Sequence, residues 1–190
     1  MKVKLSDERY EEIKKIVVNL FVRYNVNRVP LNGFELAEKM GIKVTPYSAI
    51  HESKRHILLK KSIDGFCLEK KNGEWLIYYN DEMDYGRINN TIFHEIGHIV
   101  LDHSEDSELA EKEVKFFAKN ALVPPVLVHR LELDNPTDIA TIFEVSSETA
   151  YYAYSYYKKW LHYSYWDYTD YEMTLLDLFP ERNLIWRWLN

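Results

Sequence analysis

Residues 87–103 read RINNTIFHEIGHIVLDH, and this stretch decides which fold the chain can adopt. Its apolar residues recur on one broad side, which predicts a buried helix from Ile88 to about Leu101. The helix contains an HExxH motif that begins at His94 and ends at His98. Because residues four apart share a helix face, the two imidazoles converge and can bind one metal ion. Glu95 lies beside that ion, where it can accept a proton from water.

The context of the motif favours metal binding over coincidence. Two neutral histidines and a glutamate inside an apolar helix would each be costly to bury without a ligand. The chain has a single cysteine, Cys67, in an apolar strand-like run that indicates a small buried side chain. One thiol cannot build a thiolate cage, so the remaining metal ligands must be histidine or carboxylate.

A catalytic zinc site usually has three protein ligands and one open position, so a third ligand is needed. The metzincin pattern would place Gly at position 101 and His at 104, but the chain has Leu101 and Ser104. His103 is a weaker candidate because it lies at the end of the motif helix.

The next predicted helix, Glu108 to Leu122, offers three carboxylates as the third ligand. These are Glu108, Glu111 and Glu113. Glu111 and Glu113 each share a helix face with apolar residues, so periodicity does not choose between them.

The segments that precede the motif predict a small sheet among helices. Helices are predicted from Asp7 to about Tyr24 and from Gly33 to Met40, with Asn32 as a cap. The predicted strands are Ile42 to Tyr47, Gly65 to Leu68 and Glu74 to Asn80, the last two joined by an Asn72-Gly73 turn. Together they indicate an α+β fold that is mostly helical, with an antiparallel sheet of about three strands.

The last third of the chain is acidic and aromatic, and it is predicted to be helical. Residues 131–190 hold ten acidic and four basic residues, and nine of the 15 tyrosines. This balance argues against a nucleic-acid surface, because phosphate binding depends on Lys and Arg. We therefore predict two parts: residues 1–130 with the metal site, and residues 131–190 as a helical segment packed on it.

Composition sets the general class. The chain has 190 residues with 46% hydrophobic and 28% charged residues and a net charge of −6, which is typical of a folded soluble protein. It contains no apolar run of the roughly 20 residues that a spanning helix needs, and its start turns acidic at once. We expect a cytoplasmic protein with no membrane partner.

The stretch from Gly65 to Pro124 resembles the ImmA/IrrE family of small zinc peptidases. The resemblance rests on RINNTIFHEIGHIVLDH and on EKEVKFFAKNALVPP, which is similar to the family pattern E-x-E-A-N-x-F-A with a terminal L-x-P. It implies a zincin-like fold, Zn2+ as cofactor, His94, His98 and Glu113 as ligands, and Glu95 as general base. The chain departs from the pattern at Val114 and Lys115, where the family usually has Ala and Asn.

The resemblance also implies an activity. Members of the family act as antirepressors in mobile elements and stress responses, cleaving helix-turn-helix repressors, so it implies a zinc endopeptidase with such a repressor as substrate. A substrate strand is expected to pair with a sheet edge, and Glu74 to Asn80 is the nearest candidate in the sequence. The oxyanion donor stays open among Tyr78, Tyr79, Tyr85, His103 and the C-terminal tyrosines.

Alternative functions do not require peptide cleavage. Asp138 to Trp160 predicts a helix, a tight turn and a second helix capped by Ser146 or Ser147, a pattern that DNA-binding regulators use. Such a regulator, or a protein-binding one, would carry a structural zinc site. The predicted recognition helix has only Lys158 and Lys159, both at its far end, whereas base contacts usually come from its start.

Overall fold

The computed structural model describes residues 4–103, 105, 107–163 and 167–180, and it divides them into two compact units. The first unit is Asn32–Ala118 together with Lys4, and the second is Leu5–Leu31 together with the described residues from Lys119 onward. Packing units and functional domains are different divisions, so the boundary we predict after residue 130 stays a prediction.

The chain combines helices with a few strands, as α+β proteins do, and all three strands of the described residues lie in its first half. In chain order they are α1 (Asp7–Arg23), α2 (Gly33–Lys39), β1 (Lys43–Pro46), α3 (Glu52–Lys61), β2 (Gly65–Glu69), β3 (Trp75–Tyr79), α4 (Tyr85–Val100), α5 (Glu108–Leu122), α6 (Pro125–Arg130), α7 (Pro136–Phe143), α8 (Ser147–Tyr163) and α9 (Asp170–Leu178). The predicted α+β class is confirmed, and a short 3-10 turn, Tyr47–Ala49, precedes α3.

The sheet of the first unit is mixed and has the order β1-β3-β2. The hairpin of β2 and β3 is antiparallel as predicted, but β1 runs parallel to β3, so the expectation of an antiparallel sheet was wrong on this pair. The expectation that Glu74 to Asn80 forms a free edge was also wrong, because β3 is the central strand and pairs on both sides. Beside the motif helix, the edge strand is β2.

Helix α4 is the central helix of the first unit because one of its sides is apolar and fully buried. Ile92, Phe93 and Ile96 are buried, and α4 packs against both β2 and β3. Buried Asn89 accepts the backbone N–H of Gly33 at 2.7 Å, which fixes α2 to α4. Asp84 caps the start of α4 by accepting the N–H of Arg87. These contacts hold the motif helix in a defined orientation.

The second unit is helical around an apolar core. Its buried side chains include Ile13, Phe21, Leu127, Ile139, Phe143 and Phe179. Helices α7 and α8 form the predicted helix, turn, helix pattern, and Ser146 caps α8 by accepting the N–H of Thr149. Helix α9 lies in the last third of the chain, which was predicted to be helical, while residues 164–166 and 181–190 lie outside the described residues.

The aromatic residues of α8 divide between core and surface. Tyr157 and Trp160 are buried, whereas Tyr151, Tyr152 and Tyr163 are exposed.

Among the described residues, no helix combines the length and apolarity needed to cross a bilayer.

Candidate metal centre

The two motif histidines converge as their spacing predicts. His94 and His98 lie one turn apart on α4, and their Nε2 atoms are 3.3 Å from each other. Both side chains are mostly buried, and both line an open cleft of about 620 Å³ in the first unit. The convergence follows from helical geometry alone, which is why the sequence could predict it.

The third donor atom that the structure brings to these histidines belongs to Glu111. Its Oε1 lies 3.3 Å from His98 Nε2 and 3.6 Å from His94 Nε2. Metal–ligand distances of about 2.0–2.2 Å with tetrahedral angles place neighbouring donors roughly 3.3–3.6 Å apart. The spacing of the three donor atoms therefore matches that of ligands that would hold one zinc ion.

Glu113 lies in a different place. Its Oε2 is 2.9 Å from His103 Nε2, and the cluster of possible metal ligands found among the described residues contains Glu111 instead. His103 Nδ1 is in turn 3.2 Å from His98 Nδ1, the ring nitrogen that points away from the candidate metal position. His103 lies just beyond the end of the motif helix, close to where it was expected. Its side chain is mostly buried, with 12% exposed.

A close approach of α4 and α5 places Glu111 over the histidines. A Cβ on Gly97 would lie 2.9 Å from Phe117 Cδ1 and 3.3 Å from Val114 Cβ, so only glycine allows this packing distance. Ser107 caps the start of α5 by accepting the N–H of Ala110. The glycine of the motif thus positions the donor on the next helix.

Glu95 lies in the same cleft and is held by the edge strand. Its Oε2 accepts the backbone N–H of Cys67 at 2.9 Å, and only 7% of the residue is exposed. Burial, then the nearby Glu95 carboxylate, raises the pKa of the Cys67 thiol, so the thiol stays protonated. Cys67 was expected to be buried, and it is partly exposed at the cleft wall.

The protonation states of the site suit a cation. Burial lowers the pKa of His94, which favours the neutral ring that binds metals. Burial alone would raise the pKa of Glu111, but His94 and Lys115 outweigh it, so that this pKa is lowered and the carboxylate stays ionised. Lys115 Nζ lies 3.4 Å from Glu111 Oε2 and adds positive charge at the cleft mouth.

Among the residues considered for an oxyanion donor, the described cleft wall contains His103 but none of Tyr78, Tyr79 and Tyr85. Tyr78 stacks on Phe66, and Tyr79 packs against Phe34. Tyr78 and Tyr79 therefore have packing roles in the first unit.

Sequence reasoning left the site incomplete at two points, the choice of carboxylate and the contact of His103 with His98. The contact of His103 with His98 could have been predicted from their spacing. His103 follows His98 by five residues, and a chain that reverses at a helix end brings the fifth residue back over the last turn.

Comparison with known proteins identifies a family for the chain. No curated protein matches the chain significantly. The Peptidase_M78 family model, described as the IrrE N-terminal-like domain, matches residues 37–155, which is more than half of the chain. The matched range contains His94, His98 and Glu111. The chain with the His94, His98 and Glu111 cluster therefore belongs to the Peptidase_M78 family of metallopeptidase-like proteins.

Proposed function

We propose that the protein is a zinc-dependent endopeptidase that holds Zn2+ with His94, His98 and Glu111. The observation that carries the proposal is the spacing of three metal-binding atoms at one cleft, 3.3–3.6 Å apart, on two packed helices. Bound zinc would polarise the scissile carbonyl and make water at the site more acidic. A structural zinc site is usually closed by four protein ligands, whereas the cluster found among the described residues has three.

Glu95 is the proposed general base. Its carboxylate lies in the cleft beside the motif histidines, and the Cys67 N–H orients one of its oxygens. It would accept the proton of the attacking water and deliver it to the leaving nitrogen. Its burial limits competing contacts with solvent.

The peptide to be cleaved is proposed to lie along β2. Strand β2 pairs with β3 on one side, and Gly65, Phe66 and Cys67 line the cleft. An added strand would pair with the other edge through main-chain hydrogen bonds, which suit many sequences. Specificity must then come from side-chain contacts or from docking elsewhere.

The third ligand has two candidates that can be separated by experiment. Geometry favours Glu111, and the family resemblance assigns Glu113. Zinc titration of Glu111→Gln and Glu113→Gln should show the larger loss of affinity for Glu111→Gln. The opposite order would transfer the ligand role to Glu113.

The proposed substrate is a helix-turn-helix repressor, as the resemblance implies, and the proposed location is the cytoplasm. DNA-binding repressors are basic, and the acidic residues 131–190 would attract such a protein. The test is to mix the protein and Zn2+ with a repressor encoded beside its gene and to look for fragments. We expect two fragments that a chelator prevents.

Glu95→Gln is the decisive variant for the reaction. It should bind one Zn2+ but leave the repressor intact, because it removes the base and no ligand. Glu108→Gln is the matched control, since Glu108 is exposed and forms an ion pair with Lys112 one turn along the same helix. Cleavage by Glu95→Gln at the wild-type rate would overturn the assignment of the base.

The alternative of a DNA-binding regulator gains no support from α8. The first two turns of this helix carry Glu148, Tyr151 and Tyr152, and its lysines lie near the other end. A gel-shift at low salt is the direct check, and retarded DNA without any cleavage of protein would favour this alternative.

A further inference from the structure

His103 lies between a metal-binding histidine and a buried carboxylate. Its Nδ1 is 3.2 Å from His98 Nδ1, and its Nε2 is 2.9 Å from Glu113 Oε2. Only 12% of the His103 side chain and 8% of the Glu113 side chain are exposed. The three side chains thus form a chain of hydrogen bonds that starts at the inner nitrogen of His98.

The end of α4 builds this arrangement. Asp102 adopts a left-handed conformation with φ of 55°, and the N–H of His103 bonds to the carbonyl of His98 at 3.1 Å. The N–H of Asp102 bonds to the carbonyl of Ile99, which completes the usual hydrogen-bond pattern of a helix end. The reversal places the His103 ring against His98, with ring centroids 5.3 Å apart.

Hydrogen-bond chemistry gives the chain one direction when a metal is bound. His98 then uses the lone pair of Nε2, so its Nδ1 carries the proton and donates it. His103 must accept at Nδ1, which leaves its proton on Nε2, and this proton is donated to Glu113. An ionised carboxylate at the far end can only accept, so Glu113 favours this same direction before the metal binds.

We infer that His103 and Glu113 are positioning residues that hold His98 in the tautomer and orientation needed to bind the metal. The inference rests on the proposed metal site, and it gives Glu113 a role other than that of a ligand. A hydrogen-bonded partner on the second nitrogen fixes ring orientation and increases ligand basicity. The carboxylate makes the contact stronger than a neutral acceptor would, because a charged acceptor binds an N–H more tightly.

Nitrogen NMR of the zinc-loaded protein, labelled with 15N-histidine, reports the tautomers directly. We expect His98 protonated on Nδ1 and His103 protonated on Nε2, each in a single form. In metal-free protein, where no ion fixes the His98 tautomer, the wild type should keep His103 protonated on Nε2. Metal-free Glu113→Gln should populate both neutral tautomers of His103, because an amide can accept or donate, and a packing role alone does not produce this change. His103 protonated on Nδ1 in the wild-type protein would overturn the inference.

Metal affinity provides the second readout, measured by competition with a chromophoric chelator. His103→Ala and Glu113→Gln should each weaken Zn2+ binding about 10- to 100-fold. Because His103 and Glu113 act through the same His98 ring, their effects should not add. The double variant should bind Zn2+ as tightly as the weaker-binding of the two single variants. His103→Asn should recover part of the loss, since its amide oxygen can take the place of Nδ1, and Glu108→Gln should bind as the wild type does.

The outcomes separate this inference from the proposed function. If wild-type protein binds zinc and cleaves the repressor but the His103 and Glu113 variants keep full affinity, the inference fails and the peptidase stands. If Glu113→Gln loses far more than a hundredfold while Glu111→Gln does not, Glu113 is a ligand and the inference fails. Variants are compared only where their far-ultraviolet circular dichroism matches that of the wild type.

Discussion

Lys115 is the residue whose charge opposes the proposed metal. Its Nζ lies 3.4 Å from Glu111 Oε2, and 62% of its side chain is exposed. Zn2+ would thus enter a site where its carboxylate is already paired with a cation. The family pattern usually has Asn at this position, so we expect the lysine to reduce affinity for a divalent ion.

Lys115→Asn should therefore tighten zinc binding. Removing one positive charge a few ångströms from a divalent ion is worth about 1 kcal/mol near the surface, which predicts roughly threefold to tenfold tighter binding. Competition titration at low and high salt checks this, because added salt should shrink the gain. Lys112→Asn is the control on the same helix, since Lys112 pairs with Glu108. Weaker binding by Lys115→Asn would mean that the lysine holds Glu111 in place.

At the scale of single residues, the sequence predicts the two histidines of the site but not which carboxylate joins them. The spacing of His94 and His98 is local, and any helix places them together. The choice between Glu111 and Glu113 depends on how α5 is rotated about its own axis against α4. That rotation comes from contacts between residues far apart in sequence, such as Gly97 with Phe117, which no single-helix pattern contains.

The packing of α4 on α5 is the element-scale feature on which the site depends. Gly97→Ala would place a methyl group 2.9 Å from the buried ring of Phe117 and so push α5 away. Overpacking of this kind costs about 1–3 kcal/mol, and the higher helix propensity of Ala offsets up to about 1 kcal/mol. We expect a lower free energy of unfolding together with weaker zinc binding, measured by urea unfolding and by titration.

Gly86→Ala is the control for Gly97→Ala, because it adds the same methyl group near the start of the same helix. It should leave zinc affinity unchanged. If Gly97→Ala also binds zinc normally, the close approach of the two helices is not what places Glu111.

Among the elements, those formed by local signals were predicted and those that depend on distant contacts were not. The Asn72-Gly73 turn predicted the β2–β3 hairpin, and Gly73 has the positive φ that such a turn uses. The parallel pairing of β1 with β3 joins strands separated by α3 and β2, so no local pattern encodes it. Helix α3 was missed because it has no buried residue and hence no apolar periodicity to detect.

For the whole molecule, the distribution of charge bears on the substrate rather than on the chemistry. The net charge of −6 is that of residues 131–190, where exposed tyrosines of α8 also lie. One of these tyrosines, Tyr152, has the Nζ of Lys119 4.0 Å from its ring centroid. Attraction of a basic partner by this segment would act over distances near the Debye length and would weaken with salt.

Stability of the whole protein should depend on zinc, because a ligand that binds only the folded state stabilises it by mass action. At a free zinc concentration of 100 times Kd the gain is about 2.7 kcal/mol. For a chain of this size, about 2–4 °C per kcal/mol predicts that Tm rises by roughly 5–10 °C. Thermal unfolding followed with excess chelator and then with buffered Zn2+ measures the shift. His94→Ala should lose most of it, whereas Glu95→Gln should keep it, because Glu95 is the base and no ligand; an equal shift in both variants would place the stabilising zinc at a different site.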